Sequence, residues 1–275
     1  MPAEPTILPR VEADPGLRAW LRTPESALGL AFGILYWIVG GLITSLLGWI
    51  LRYLLPRKWG MAVGRTMIQW AFRIFVVYLE RTKLVHVDLS SIEPLRSARG
   101  GFILAPNHAS LWDAVFLLTI LPRPVCIMKK QILYNPLLGG SANLAGHIPG
   151  SNGAKMIHAA VKSLHDGNQL LLFPEGTRTR PENRWINPLK GGIALIAGHA
   201  DVPVYPVFIR NDSRYLEKGW PPWKRPEFPI HISFELGNPI RRTPDESTHA
   251  FLDRLQSIFE NELSRPHPLR RKARN

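Results

Sequence analysis

The residues best suited to chemistry are His108 and Asp113, within Asn107-His108-Ala109-Ser110-Leu111-Trp112-Asp113. On a continuous helix, positions five apart lie roughly 140° around the axis, so this pair can meet only across a turn. In such a turn Asp113 would accept the imidazole Nδ1–H and fix the tautomer. Nε2 of His108 would then be free to take a proton from a hydroxyl nucleophile. Taken alone, the pair reads more readily as a polar turn than as a catalytic dyad. A second cluster, Phe173-Pro174-Glu175-Gly176-Thr177-Arg178, changes that balance. Glu175 could bind a hydroxyl, Gly176 could let a backbone approach a ligand, and Arg178 offers a planar donor fork for a phosphate. Each of these singly reads equally well as a solvated turn residue.

Both clusters follow short apolar runs, and that placement predicts their scaffold. Strands are expected at Gly101–Ala105, Val125–Met128, Gln169–Phe173, Val204–Ile209 and Ile230–Glu235. Helices are expected near Ala114–Ile120, Ala154–Asp166, Gly191–Ala200 and Pro244–Leu263. Alternation of this kind argues an α/β domain, whose polar sites sit where strands end. Pro221 to Pro229 is too rich in proline for a helix or a central strand and reads as a surface loop.

Upstream, Ser26 to Leu51 is uncharged throughout, long enough as a helix of about 39 Å to cross a bilayer. A cleaved leader fits poorly, because the preceding residues mix acids with bases and no A-x-A-like site follows. Gly40-Gly41 marks a point where the run could instead bend into a re-entrant hairpin. Trp59 to Glu80 reads as a helix with Arg65, Gln69, Arg73 and Glu80 on one narrow stripe, suited equally to an interface and to ordinary packing. The expected organisation is a polar leader at 1–25, a membrane-associated helical region at 26–80, an α/β domain at 81–264 and a basic tail at 265–275.

Composition narrows the function. With 45% hydrophobic and 20% charged residues among 275, the chain is neither disordered nor a polytopic transporter. The lone Cys126 allows no internal disulfide and asks for no oxidising compartment. A net charge of +13 calls for a partner bearing negative charge. The first 25 residues hold four acids against three bases, so the basic excess belongs to the body. Anionic lipid accounts for both this charge and the apolar run, whereas nucleic acid leaves the run unexplained and no binding module is present. Arg52, Arg57, Lys58 and Arg65 follow the apolar run without nearby acids and place the body on the cytoplasmic face. His147, His158 and His165 form no tight ligand set with carboxylates, and no metal is expected. No phosphate loop or dinucleotide fingerprint occurs.

Asn107 to Asp113 resembles the N-H-x4-D motif, and Phe173 to Arg178 the F-P-E-G-T-R motif, of the 1-acylglycerol-3-phosphate acyltransferase family of glycerolipid acyltransferases. Val202-Pro203-Val204-Tyr205-Pro206-Val207 is similar to a further motif of that family, V-P-V-x-P-V. Order and separations agree over roughly residues 101–240. The resemblance implies a mixed sheet flanked by helices, and transfer of an acyl group from acyl-CoA or acyl carrier protein to a lysolipid hydroxyl. It implies His108 as base, Asp113 as its orienter, and Glu175, Gly176, Thr177 and Arg178 as acceptor-binding residues, with no cofactor beyond the thioester. Lys129-Lys130-Gln131-Ile132 through Pro136 and Gly139 looks like the family's K-K-E-L stretch, which implies that Lys129, Lys130 or a nearby N–H meets the developing oxyanion. Two basic residues facing anionic lipid are an equal reading. One departure concerns the acceptor. The family's second motif, G-x-I-x-I-x-R, ends in an arginine, and here Asn152 stands in its place. Asparagine carries no charge for a phosphate. Either Arg178, Arg180 or Lys155 substitutes, or the acceptor is another lysolipid, a glycolipid or an amino lipid. A scaffold that kept the fold without transfer is the remaining alternative.

Overall fold

The structure, a computed structural model, describes residues 24–150, 153–183, 185–220 and 226–269. The expectations resting on residues 1–23, on Asn152, on 221–225 of the proline-rich loop and on 270–275 of the tail lie outside the described residues.

Helix α1 (Pro24–Leu54) runs unbroken for 31 residues. Of the two alternatives for this run, the bend at Gly40-Gly41 is not taken, and the chain turns at Leu55-Pro56 before α2 (Arg57–Arg81). Proline cannot extend a helix through its missing N–H, whereas glycine in an apolar run can stay helical where a neighbour packs closely. That neighbour is the segment 137–140: a Cβ on Gly41 would meet the Leu137 carbonyl oxygen at 2.9 Å, and one on Gly48 the Gly140 carbon at 2.4 Å.

After α2 come β1 (Val85–Asp88), a 3-10 turn (Ser90–Ser97), β2 (Phe102–Pro106), α3 (Asp113–Ile120), β3 (Pro124–Lys129), α4 (Lys130–Leu133), α5 (Gly139–Leu144) and β4 (Ile148–Gly150). Then follow α6 (Ala154–His165), β5 (Gln169–Leu171), α7 (Gly192–Ala200), β6 (Val204–Asn211), β7 (Ile230–Leu236) and α8 (Thr248–Ser264). The strands form one sheet in the order β1-β7-β6-β2-β5-β3-β4, with β6–β7 antiparallel and the other neighbours parallel. The five expected strands are all present. The two additional ones, β1 (Val-His-Val-Asp) and β4 (Ile-Pro-Gly), lack the continuous apolar run that marks the buried β5.

Side chains alternate across the sheet. Phe102 and Leu104 enter a core with α2 and α3, while Ile103 and Ala105 enter a second core with α6, α7 and α8. The sheet is therefore the middle layer of three, and β2, β5 and β3, adjacent and parallel, send their C-terminal ends to the same edge.

Helix α2 is inverted relative to an ordinary surface helix. Three members of its polar stripe face the protein beside the buried Ile68, Phe75, Val76 and Leu79, while the fourth, Glu80, is exposed: Arg65 donates to the Ala145 carbonyl and to Asn168 Oδ1, Gln69 to the carbonyls of Leu118 and Leu121, and Arg73 to that of Thr119. Its outer face presents Trp59, Trp70, Ile74 and Val77. Helix α1 continues that apolar surface with Phe32, Leu46 and Tyr53, at 62%, 59% and 84% exposure. Ala27–Leu54 is the one stretch among the described residues long and apolar enough to cross a membrane.

Candidate active site

His108 and Asp113 meet across the turn between β2 and α3, where the backbone leaves the sheet. Nδ1 of His108 lies 3.0 Å from Asp113 Oδ2, which also accepts the Ser110 N–H at 2.7 Å. Asp113 is the first residue of α3 and is fully buried, while the His108 side chain keeps a 16% opening to the surface. With Asp113 as carboxylate the ring proton sits on Nδ1, leaving Nε2 as the acceptor. Upstream, Asn107 locks the strand end: its amide donates to the Ile209 carbonyl and its oxygen accepts the Ile209 N–H, extending the β2–β6 pairing through a side chain.

The second cluster grips the first. The Phe173 ring stacks on the His108 imidazole at 3.9 Å between centroids. Glu175 Oε1 accepts the His108 N–H at 2.7 Å, and the Thr179 N–H donates to the His108 carbonyl at 2.7 Å. Glu175 Oε1 also accepts from the Thr179 hydroxyl, and Oε2 from the Asn187 N–H. With 1% exposure and both oxygens committed, Glu175 holds the His108 backbone and offers no open face to an acceptor hydroxyl. Burial pushes its carboxyl up to about 7 against the pull of those three donors.

Arg178 departs from the open fork the sequence suggests. Its Nη1 donates to the carbonyls of Leu216 and Glu217 at 2.7 and 3.0 Å, tying down the loop after β6. The same loop closes on the first motif: the Leu111 N–H donates to the Leu216 carbonyl, the Ser110 hydroxyl to that of Tyr215, and the Tyr215 ring meets Trp112 edge-on. Gly176 is exposed with φ +67°, a left-handed conformation that glycine adopts without strain, and Thr177 is half-buried beside it.

Lys129 ends β3 on the same sheet edge and is exposed. Lys130, which begins α4, places its ammonium 5.9 Å from the Tyr134 ring centre. The two lysines, indistinguishable in sequence, are thus separated. His147 lies in the core, accepting the Cys126 N–H through Nδ1, and burial drives its pKa down to about 3. Among the described residues no three His, Cys, Asp or Glu side chains gather as a metal-holding group. Asn107, Asn187 and the Tyr215–Glu217 loop, all built into the site, escape sequence reasoning because their partners are backbone groups distant in the chain.

A paired histidine and carboxylate at the C-terminal edge of a parallel sheet, gripped by a Phe-Pro-Glu-Gly-Thr-Arg turn, is also where similarity to known proteins concentrates. Residues 86–210 match the family model described as Acyltransferase. This segment is similar to acyltransferase domains. A Limnanthes douglasii protein named 1-acyl-sn-glycerol-3-phosphate acyltransferase is 36% identical over 124 residues, which is 42% of this chain and 43% of that one. A Saccharomyces cerevisiae protein of the same name is 26% identical over 203 residues, 70% of this chain and 61% of that one. The chain spans about half the length of the first curated relatives it matches. The fold matches the crystal structure of the 1-acyl-sn-glycerophosphate acyltransferase PlsC from Thermotoga maritima. The TM-score is 0.61 at 19% identity, covering 87% of this chain and 96% of that one.

Proposed function

We propose that this protein is a membrane-bound O-acyltransferase that moves a fatty acyl group from acyl-CoA or acyl carrier protein to a lysolipid hydroxyl. The preferred acceptor is 1-acylglycerol-3-phosphate and the product phosphatidate. The observation that carries the reading is the His108–Asp113 pair, oriented with a free Nε2 at the sheet edge of a segment similar to acyltransferase domains. Nε2 takes the acceptor hydroxyl proton as that oxygen attacks the thioester carbon. A tetrahedral oxyanion forms, the carbon–sulfur bond breaks, and the departing thiolate recovers the proton from His108. Asp113 stabilises the transient imidazolium. Lys129, free of the Tyr134 ring that engages Lys130, is the better placed of the two for the oxyanion.

The inverted helix α2 and the apolar outer face of α1 support a membrane site, because a surface that turns its arginines inward and its tryptophans outward suits lipid better than water. An apolar cavity of about 70 Å³ between α1, α2 and α5 reaches Met128, the neighbour of Lys129, and fits part of an acyl chain. The basic residues following α1 favour the cytoplasmic face.

The test is thiol release by the purified chain in mild detergent, with acyl-CoA and acyl carrier protein as donors and a panel of lysolipids as acceptors. We expect acceptor-dependent release that His108→Ala lowers by at least about a hundredfold with an unchanged melting temperature. Release that survives His108→Ala, or none from either donor across the panel, would overturn the reading.

A further inference from the structure

Resting on the transfer reading above, the geometry points to Lys190 as the cation that receives an anionic, phosphate-bearing head group of the acyl acceptor. Arg178 instead spends Nη1 on two carbonyls of the loop after β6. That bonding leaves Arg178 its charge but anchors its fork to the loop, so a second cation beside the same turn adds to the binding of a phosphate.

Lys190 stands at the end of the turn leading into α7, where its backbone N–H donates to the Pro174 carbonyl at 2.9 Å, fastening it to the Phe173–Arg178 turn. Its side chain lies across Gly176: a Cβ there would come within 2.8 Å of Cε, 2.9 Å of Cδ and 2.9 Å of Nζ. The absent side chain at Gly176 therefore does two things, allowing φ +67° and leaving a seat for the lysine stem. An ammonium placed this way is set apart from a freely waving surface lysine, since its last carbons are packed on the backbone. Lys190 forms no ion pair among the described residues, so its charge is not spent on a carboxylate there.

A short run of contacts links this ammonium to the reacting atoms. Gly176 follows Glu175, whose Oε1 accepts the His108 N–H, and Thr179 closes the other side of His108 through its carbonyl. Beyond Lys190, a Cβ on Gly191 would meet nothing within 4 Å among the described residues. An acceptor whose hydroxyl reaches His108 can thus lay its phosphate over the exposed Gly176, against Lys190. Lysine acts there as a point charge, which suits a phosphate approached from one side. Selection for a phosphate then has a source in the described residues that does not depend on position 152.

The deciding experiment compares wild type, Lys190→Met and Lys190→Arg in mild detergent. Lysophosphatidate and the matching monoacylglycerol, which lacks only the phosphate, are offered as acceptors at fixed donor. Lys190→Met should lower the ratio of kcat/KM for lysophosphatidate to that for monoacylglycerol by about tenfold or more, chiefly through acceptor KM, and Lys190→Arg should restore most of it. Equal losses on both acceptors would make Lys190 a structural residue, and an unchanged ratio would remove it from the site. Binding of lysophosphatidate in mixed micelles, followed by tryptophan fluorescence without any donor, separates this from the transfer reading. Should wild type turn over no acceptor, transfer fails, yet binding about tenfold weaker in Lys190→Met would still uphold the lysine's role, and equal binding would end it.

Discussion

Asp113 gives one oxygen to two donors, the His108 ring and the Ser110 amide, in a fully buried position. An asparagine there could accept both bonds only by burying its NH₂ where the second oxygen sits, and it could not balance an imidazolium. Asp113→Asn is therefore expected to lower kcat by at least about a hundredfold with acceptor KM little changed, and steady-state kinetics showing an unaltered kcat would reduce Asp113 to a packing role. Glu175 carries a pH signature of its own. Its carboxyl ionises near 4.5 in an unfolded chain and near 7 when buried, so the native state keeps a proton that the unfolded state has already lost. The unfolded state binds fewer protons across that window, and stability contributed by this group falls as pH rises from about 4.5 to about 7. Glu175→Gln abolishes the titration. The stability difference between wild type and this variant should shrink across the window by up to about 3 kcal/mol, read from denaturation midpoints at several pH values. A difference constant in pH would mean that Glu175 is ionised throughout.

Between elements, α1 and α5 approach each other closely. The Gly140 N–H donates to the Ser45 hydroxyl at 2.9 Å, and a Cβ on Gly140 would overlap the Ser45 carbonyl oxygen at 1.8 Å. Neither contact partner is a flexible side-chain end, so the helices would have to separate. Gly140→Ala should lower stability by about 1–3 kcal/mol, seen as a lower melting temperature in detergent, and loosen α1 against the domain. An unchanged melting temperature would mean that α1 is not docked this closely. Close packing also accounts for Gly41 staying helical: it serves contact with Leu137, just before α5, and Pro56 supplies the turn.

For the whole molecule, the exposed apolar surface of α1 and α2 and the basic charge of the body act through different forces. Charge attraction is screened within about 8 Å at physiological ionic strength and weakens further in high salt, whereas apolar burial does not. Membranes carrying the full chain are expected to retain it through washes in high salt and in alkaline carbonate, and to release it in detergent, followed by immunoblotting of pellet and supernatant. Release by salt alone would make the attachment electrostatic and leave the outward tryptophans of α2 without a lipid partner.

The motifs, their order and the five expected strands are legible in the sequence because they are local: an apolar run ending in or just before Pro106 or Pro174, then polar residues at short spacing. The uncharged run of α1 is legible for the same reason. Tertiary structure alone decided that His108 and Asp113 touch, since five residues apart is compatible with contact or with opposite faces depending on the turn. It also decided which way the stripe on α2 points, because a polar stripe has the same periodicity inward or outward, and only the carbonyl ends of α3 and α5 select inward. Glu175 and Arg178 are polar letters in a loop until the His108 amide and the carbonyls of Leu216 and Glu217 engage them. Lys190, twelve residues beyond Arg178 in sequence, joins that motif only because the loop folds its side chain back over Gly176. Spacing along a chain specifies residue types and local turns, whereas the partners of buried polar groups are fixed by which distant backbone atoms the fold brings to them.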